Sequence, residues 1–246
     1  MKTITTRSIR AYDNSRAANY RMMMKTAGYG SYRHLLDAIS YGLHVNLLPE
    51  NAIIIDLGCG TGNLSRNILR EFPRARIIGV DGSESMLKIA CSRFSKTGNI
   101  SFLRRNFGKA DWIDNLPAAN AVISSGAIHH LNDRQKRSLY GQIYSLLSHG
   151  GLFINGDIIK GGNPEIQKMY EDFWLNMIIK GMEKYTGITV ARNKIRAQHL
   201  EIQKNEGDRP GTLDRQLAWL RESGFKTVEC YWKLFGFAVF GGVKEK

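Results

Sequence analysis

The chain has 246 residues, of which 43% are hydrophobic, and this composition favours a folded core over intrinsic disorder. Its three cysteines lie far apart without a C-x-x-C pair, which argues against a disulfide framework or a zinc site and favours a reducing cytoplasm. The formal net charge is +13, but Lys and Arg are spread along the whole chain. We therefore favour an ordinary basic surface and leave nucleic acid open as a partner. No apolar run approaches the length of a membrane span, so we expect no membrane association.

Strand-like and helix-like segments alternate from about residue 50 to residue 160, a pattern typical of a parallel α/β sheet. Helices are expected at 64–72, from Ser83 onward, and from Asn132 to a stop at His149-Gly150-Gly151. The predicted strands are 52–57, 75–81, 100–103, 121–125 and 152–159.

The pattern changes after residue 160. A helical insertion is predicted over 161–210, with an apolar stripe ending at Ile178 that is either a pocket wall or a dimer face. A helix follows at 212–223, and then two strands, 227–234 and 237–243, with so short a link that they must pair antiparallel. We predict one domain over residues 1–246: a doubly wound, Rossmann-like α/β fold with a seven-stranded sheet, a C-terminal antiparallel hairpin and a helical insertion after strand five.

The most informative motif is a glycine-rich loop after the first strand. Asp56, Gly58, Gly60 and Gly62 follow the pattern D-x-G-x-G-x-G, and a helix begins near Asn63. Glycines let a backbone turn sharply and approach a ligand, and the free N–H groups at the helix start suit a carboxylate. A dinucleotide fingerprint would need glycine at position 63. The loop therefore fits a compact ligand better than a pyrophosphate.

This loop resembles that of the class I S-adenosylmethionine-dependent methyltransferases. The run Ser124-Ser125-Gly126-Ala127-Ile128-His129-His130-Leu131 looks like the motif after strand four of that family. The segments around 208–220 and 224–242 are similar to a large group of bacterial members, mostly assigned to small molecules. The resemblance covers roughly residues 10–244. It implies S-adenosyl-L-methionine as cofactor and tyrosine-bearing lid helices over residues 1–45.

The cofactor site is predicted at the ends of the first strands. Asp81 ends strand two, where a carboxylate can accept both ribose hydroxyls, although a helix-capping role is the alternative. Ser83 and Met86 are expected at the adenine, with core packing nearly as good an interpretation for Met86. The resemblance puts an acid after strand three; this chain has Asn106 there, whose amide oxygen can accept the same hydrogen bond. The remaining expected cofactor residues are Tyr20, Tyr32, Asp56, Gly58, Gly60, Gly62, Gly82, Phe107 and Ser125; for the tyrosines, ordinary packing on the sheet stays open.

At the reacting end, the resemblance assigns a structural role to His130. His129 is then the candidate that faces substrate, as a base or a positioning donor, and Asp157 at the end of strand five is a candidate for orienting the acceptor. Both can equally be structural. No metal is predicted. Trp219 and Trp232 either line the acceptor pocket or belong to the core.

The favoured function is methyl transfer to a small-molecule acceptor, bound between the carboxyl edge of the sheet and the 161–210 insertion. One alternative is an enzyme of the carboxy-S-adenosylmethionine type, related to transfer-RNA modification. Another is chemistry on S-adenosylmethionine itself, with 5′-methylthioadenosine as product. Oligomerisation is left open.

Overall fold

The computed structural model describes residues 7–12, 31–46 and 48–245. Seven strands form one sheet in the order β3-β2-β1-β4-β5-β7-β6. Strands β1 to β5 pair in parallel, and β7 pairs antiparallel with both β5 and β6. This confirms the predicted fold class. The strands are β1 Ile53–Leu57, β2 Arg76–Asp81, β3 Ile100–Arg104, β4 Ala119–Ser125, β5 Leu147–Ile158, β6 Thr227–Leu234 and β7 Phe237–Val243.

Helices cover both faces of the sheet. One face packs on α2 and α3 through residues such as Ile39 and Ile68, while the other packs on α5 and α8 through Tyr140, Trp219 and Leu220. Trp219 thus belongs to the core, and Trp232 packs at the edge of the opposite core. The helices of the described residues are α1 Arg7–Ala11, α2 Ser31–Val45, α3 Asn63–Glu71, α4 Glu84–Arg93, α5 Asp133–Leu146, α6 Pro164–Thr186, α7 Arg192–Glu206 and α8 Leu213–Glu222.

One local prediction needs correction. Strand β5 begins at Leu147, not at residue 152, because Leu147 pairs with Ala119 and the N–H of Gly150 bonds to the carbonyl of Lys244. The His149-Gly150-Gly151 run therefore lies inside the strand. The insertion is helical as predicted, and it consists of two helices because Gly187 ends α6 in the left-handed conformation.

Several apolar side chains of α6 pack against other elements of the molecule. Leu175 and Ile178 of α6 pack against Ile195 of α7. The Phe173 ring stacks on Phe235 at the β6–β7 turn, with centroids 4.2 Å apart. Within the described parts of the chain, no helix has the length and apolar character needed to cross a bilayer.

The topology fixes where a ligand can sit. Strand order reverses between β1 and β4, and the carboxyl ends of these strands open a crevice in a sheet of this kind. The glycine-rich loop follows β1, and the two histidines follow β4.

Candidate active site

Left-handed glycines shape the loop after β1. Gly58, Gly60 and Gly62 have φ values of 71°, 53° and 76°. A Cβ at Gly58 would overlap the side chain of Ala127, and one at Gly62 would lie 2.5 Å from the Phe94 ring. Side chains are excluded at both positions by conformation and by space.

The loop is tied to the carboxylate at the end of β2. The N–H of Gly60 donates to Asp81 Oδ2 at 2.8 Å, and the N–H of Ser83 donates to Oδ1 at 2.8 Å. Ser83 also caps α4, where its Oγ accepts from the N–H of Met86 at 3.2 Å. These bonds hold the Asp81 carboxylate in place between the glycine-rich loop and the start of α4.

A cavity runs from this carboxylate to the turn after β4; we call it the main cavity. The first helix, α1, forms part of its wall through Ile9 and Tyr12. A Cβ at Gly82 would overlap the side chain of Ile9, so glycine there lets α1 approach. Ten further residues that line the cavity are Gly58, Gly60, Asp81, Gly82, Ser83, Met86, Asn106, Phe107, Ser125 and His130.

Asn106 lies in the cavity wall with part of its capacity already used. Its Oδ1 accepts from the N–H of Gly108 at 2.9 Å, closing a local turn after β3. A carbonyl oxygen has two lone pairs, so a contact with an adenine amino group stays compatible with this turn.

A smaller polar recess adjoins the loop, lined by Tyr32, Asp56, Asn63 and Ser125 among others. Asp56 is 1% exposed, and its Oδ2 accepts both the N–H and the hydroxyl of Ser65, at 3.1 and 2.5 Å. Its Oδ1 is buried and has no hydrogen-bond partner among the described residues. Burial outweighs the Ser65 bonds and raises the pKa of Asp56 to about 7.

His129 is buried behind the cavity, not in its wall. Its Nδ1 lies 2.6 Å from Asp157 Oδ1, and its backbone N–H donates to Oδ2 at 2.9 Å. Burial alone lowers the pKa of His129, but the charge and hydrogen bond of Asp157 outweigh it and raise the pKa. The same pairing lowers the pKa of Asp157 against its own burial.

His130 lines the main cavity. Its ring packs edge-on against Tyr12, with centroids 6.1 Å apart. Its Nδ1 lies 2.8 Å from Asp208 Oδ1. Burial and the neighbouring His129 lower the pKa of His130. The expectation that His129 faces substrate while His130 packs is therefore corrected, because Asp157 holds His129 by both its ring and its backbone.

Most predicted cofactor residues come together here. Tyr32 lies in the polar recess, and burial raises the pKa of its hydroxyl. Tyr20 lies outside the described residues. The sequence analysis missed Asp208 and Lys136; Lys136 is fully buried and donates from Nζ to the carbonyl of Arg209. No described residue of the main-cavity wall comes from 161–210, which instead reaches the histidines through Asp208.

The chain is similar in sequence to known proteins. Residues 54–151 match the family described as "Methyltransferase domain". Carboxy-S-adenosyl-L-methionine synthases are similar: that of Campylobacter lari is 25% identical over 82% of this chain and 81% of its own length, and that of Campylobacter jejuni 26% over 87% and 86%.

Solved structures share the fold. An O-methyltransferase family protein from Burkholderia thailandensis has a TM-score of 0.67 at 16% identity, over 96% of this chain; the chain spans 61% of that protein. Magnesium protoporphyrin IX methyltransferase from Synechocystis, with S-adenosylmethionine bound, has a TM-score of 0.65 at 12% identity over the full length of both chains. Residues 54–151 therefore form a methyltransferase domain, and the chain has the fold of the S-adenosylmethionine-binding methyltransferase from Synechocystis. The protein is therefore an enzyme that uses S-adenosylmethionine.

The methyltransferase domain has a site that fits this cofactor. The carboxylate of Asp81 suits the hydroxyls of a ribose, and the left-handed glycines let the loop backbone lie close to it. The apolar side chains of Met86 and Phe107 suit a flat base. The unpartnered oxygen of Asp56 suits the ammonium of an amino acid. The predicted residues would thus bind the sugar, the base and the amino-acid end in one continuous crevice.

When bound, S-adenosylmethionine supplies an electrophilic methyl group on a sulfonium leaving group. The chain's own task is then to align an acceptor and exclude water. Leu131 and the imidazole of His130 lie in the wall of the main cavity, at the turn after β4.

Proposed function

We propose that the protein transfers the methyl group of S-adenosylmethionine to a small-molecule acceptor. The observation that carries the proposal is the main cavity, which joins the carboxylate for the sugar to the imidazole of His130. Because its pKa is lowered by burial and by His129, His130 stays neutral near pH 7. A neutral imidazole can accept a hydrogen bond from the hydroxyl or amine of an acceptor.

The size and lining of the cavity support a small acceptor over nucleic acid. Among the described residues that line it, there is one carboxylate and no Lys or Arg. Nucleic-acid sites need concentrated positive charge to meet phosphates. Because the three cysteines of the chain are free and lie apart from one another, we place the reaction in the reducing cytoplasm.

A second candidate is synthesis of carboxy-S-adenosylmethionine. It is favoured by the relatives of that name, which align over most of both chains. Such a product adds a carboxylate at the reacting end, and a buried carboxylate needs a cationic partner. The described wall of the main cavity contains no Lys or Arg side chain, which is why methyl transfer is preferred.

One labelling experiment separates these functions. The purified protein is incubated with S-adenosylmethionine that carries a trideuteromethyl group, together with a small-molecule extract, and all products are weighed by mass spectrometry. Methyl transfer gives unlabelled S-adenosylhomocysteine and an acceptor with the whole trideuteromethyl group. Carboxylation at the methyl carbon must break one C–D bond, so the nucleoside product keeps two deuterium atoms.

Attack on the aminocarboxypropyl carbon of the sulfonium gives labelled 5′-methylthioadenosine instead. S-adenosylhomocysteine that forms only when extract is present supports our proposal, and a dideuterated or methylthioadenosine product refutes it. Asp81→Ala is the control, because a contaminating enzyme would be unaffected by it.

A further inference from the structure

We propose that His129, His130 and Asp208 form a binding site for a divalent transition-metal ion, with Zn²⁺ as the ion that the donor set fits. The two imidazoles and one carboxylate supply the nitrogen and oxygen ligands of catalytic zinc sites, which use three protein ligands and one open position. The absence of a C-x-x-C pair does not bear on such a site, because none of its donors is a cysteine.

The donor atoms already converge. Asp208 Oδ1 lies 2.8 Å from His130 Nδ1 and 3.7 Å from His129 Nε2, and the three donor atoms lie within 4.8 Å of one another. Zinc bonds of about 2.0–2.2 Å put tetrahedral ligand atoms about 3.3 Å apart. Small side-chain rotations would therefore bring all three atoms onto one ion.

Two of these three donor atoms have no well-oriented hydrogen bond with another described group. His130 Nδ1 and Asp208 Oδ1 are both buried and lie 2.8 Å apart, and neither atom has a hydrogen bond of acceptable geometry within the described part of the chain. The two side chains are each 9% exposed, so water is largely shut out. Buried polar atoms are nearly always satisfied, and a bound ion is a standard partner for atoms that lack a hydrogen bond.

Asp157 prepares His129 as a ligand. It accepts from His129 Nδ1 at 2.6 Å, and a proton held there leaves Nε2 as the nitrogen with a free lone pair. Carboxylates commonly hold metal-bound histidines in this way, fixing both ring orientation and tautomer.

The charges of the cluster leave room for a cation. Asp157 and Asp208 contribute two carboxylates, against one amine, that of Lys136, which donates to the carbonyl of Arg209. With both imidazoles neutral, these groups leave a net negative charge in a buried place. A metal ion or an extra proton on a histidine can balance it, and these two occupants are what an experiment must distinguish.

The position of the site suggests a catalytic role for the ion. His130 is also in the wall of the main cavity, so the open coordination position is expected on that side. An ion there would bind an acceptor oxygen and lower its pKa, which makes it a better nucleophile. This use rests on the proposed function, whereas metal binding does not.

Metal binding is measured on the untagged full chain. After dialysis against chelator, Zn²⁺ is titrated by calorimetry, and Co²⁺ is added in a parallel sample for its visible absorption. We expect one saturable equivalent of Zn²⁺ per chain and a Co²⁺ spectrum typical of four or five ligands. Asp208→Asn and His130→Gln should each weaken Zn²⁺ binding more than the about 10–100-fold expected for Asp157→Asn, which removes only an orienting group.

His149→Gln is the matched control, because His149 is exposed and its ring contacts only the carbonyl of Glu245 among the described groups. Circular dichroism and a melting curve identify any variant that does not fold, and His130→Gln and Asp208→Asn test the site separately. Wild-type protein that binds no Zn²⁺, or binding that both variants leave at the level of His149→Gln, would show that a proton occupies the cluster and overturn the proposal. Neither readout uses methyl transfer, so failure of the proposed function would leave this result interpretable.

Discussion

At the residue scale, Asp56 shows how a binding group can weaken the fold that holds it. One of its oxygens is bonded to Ser65, and the other is buried without a partner. Burial disfavours the charged form, which is why the pKa of Asp56 is raised from 3.8 to about 7. A bound ammonium group would reverse that balance by pairing with the carboxylate.

This gives a prediction for pH dependence. A group whose pKa is higher in the folded state stabilises that state fully below its unfolded value, about pH 4 here, and the stabilisation is lost as pH rises through about 7. Asp56→Asn removes the titration. We therefore expect the ligand-free variant to gain in melting temperature relative to wild type as pH rises from 4 to 8, and to bind S-adenosylhomocysteine more weakly at pH 8.

Thermal melts across that pH range, with and without ligand, measure both effects. Asp37→Asn on the exposed face of α2 is the control, since its carboxylate is solvated and should give no such trend. A difference between Asp56→Asn and wild type that does not change with pH would contradict this account of Asp56.

At the scale of elements, the loop after β1 depends on the turn after β4. Gly58 and Gly187 both have left-handed backbone, with φ of 71° and 67°. A Cβ at Gly58 would overlap Ala127, which leads into the His129–His130 turn, whereas a Cβ at Gly187 would meet nothing within 4 Å. The two positions therefore separate conformational strain from steric conflict.

We expect Gly187→Ala to lose only the about 1–2 kcal/mol that a left-handed alanine costs. Gly58→Ala should lose more in the free energy of unfolding and should also weaken cofactor binding by more than about tenfold, which corresponds to 1.4 kcal/mol. Urea unfolding and calorimetry measure the two quantities. Equal losses in the two variants, with cofactor binding intact, would show that loop and turn are not coupled through Ala127.

The sequence was most informative about the positions of the helices and strands. Apolar runs, glycines and caps are local signals, and they predicted both strands of the C-terminal hairpin and the start of α3. The start of β5 was missed, because its first residues are strand only through pairing with β4 and the chain end. Pairing partners that lie far apart in sequence leave no local mark.

At the scale of the whole molecule, the fold unites segments that the sequence keeps apart. That the expected cofactor residues would lie together could be predicted, because they follow consecutive strands at regular positions. The cluster around the histidines could not, since Asp208 comes from the far end of the insertion and Lys136 from α5. Which of His129 and His130 lines the cavity depends on the two bonds that Asp157 makes to His129. These are tertiary contacts, which the local sequence does not show.

The central claim is that Asp81 and the glycine-rich loop bind the adenosyl group of S-adenosylmethionine. Calorimetric titration of S-adenosylhomocysteine into wild type, Asp81→Ala and the Asp37→Asn control tests it most directly. Two hydrogen bonds to a carboxylate are worth about 1.5–3 kcal/mol each, so Asp81→Ala should weaken binding by more than about 100-fold while the control matches wild type. No measurable binding to the wild type, or equal affinity in wild type and Asp81→Ala, would contradict the account.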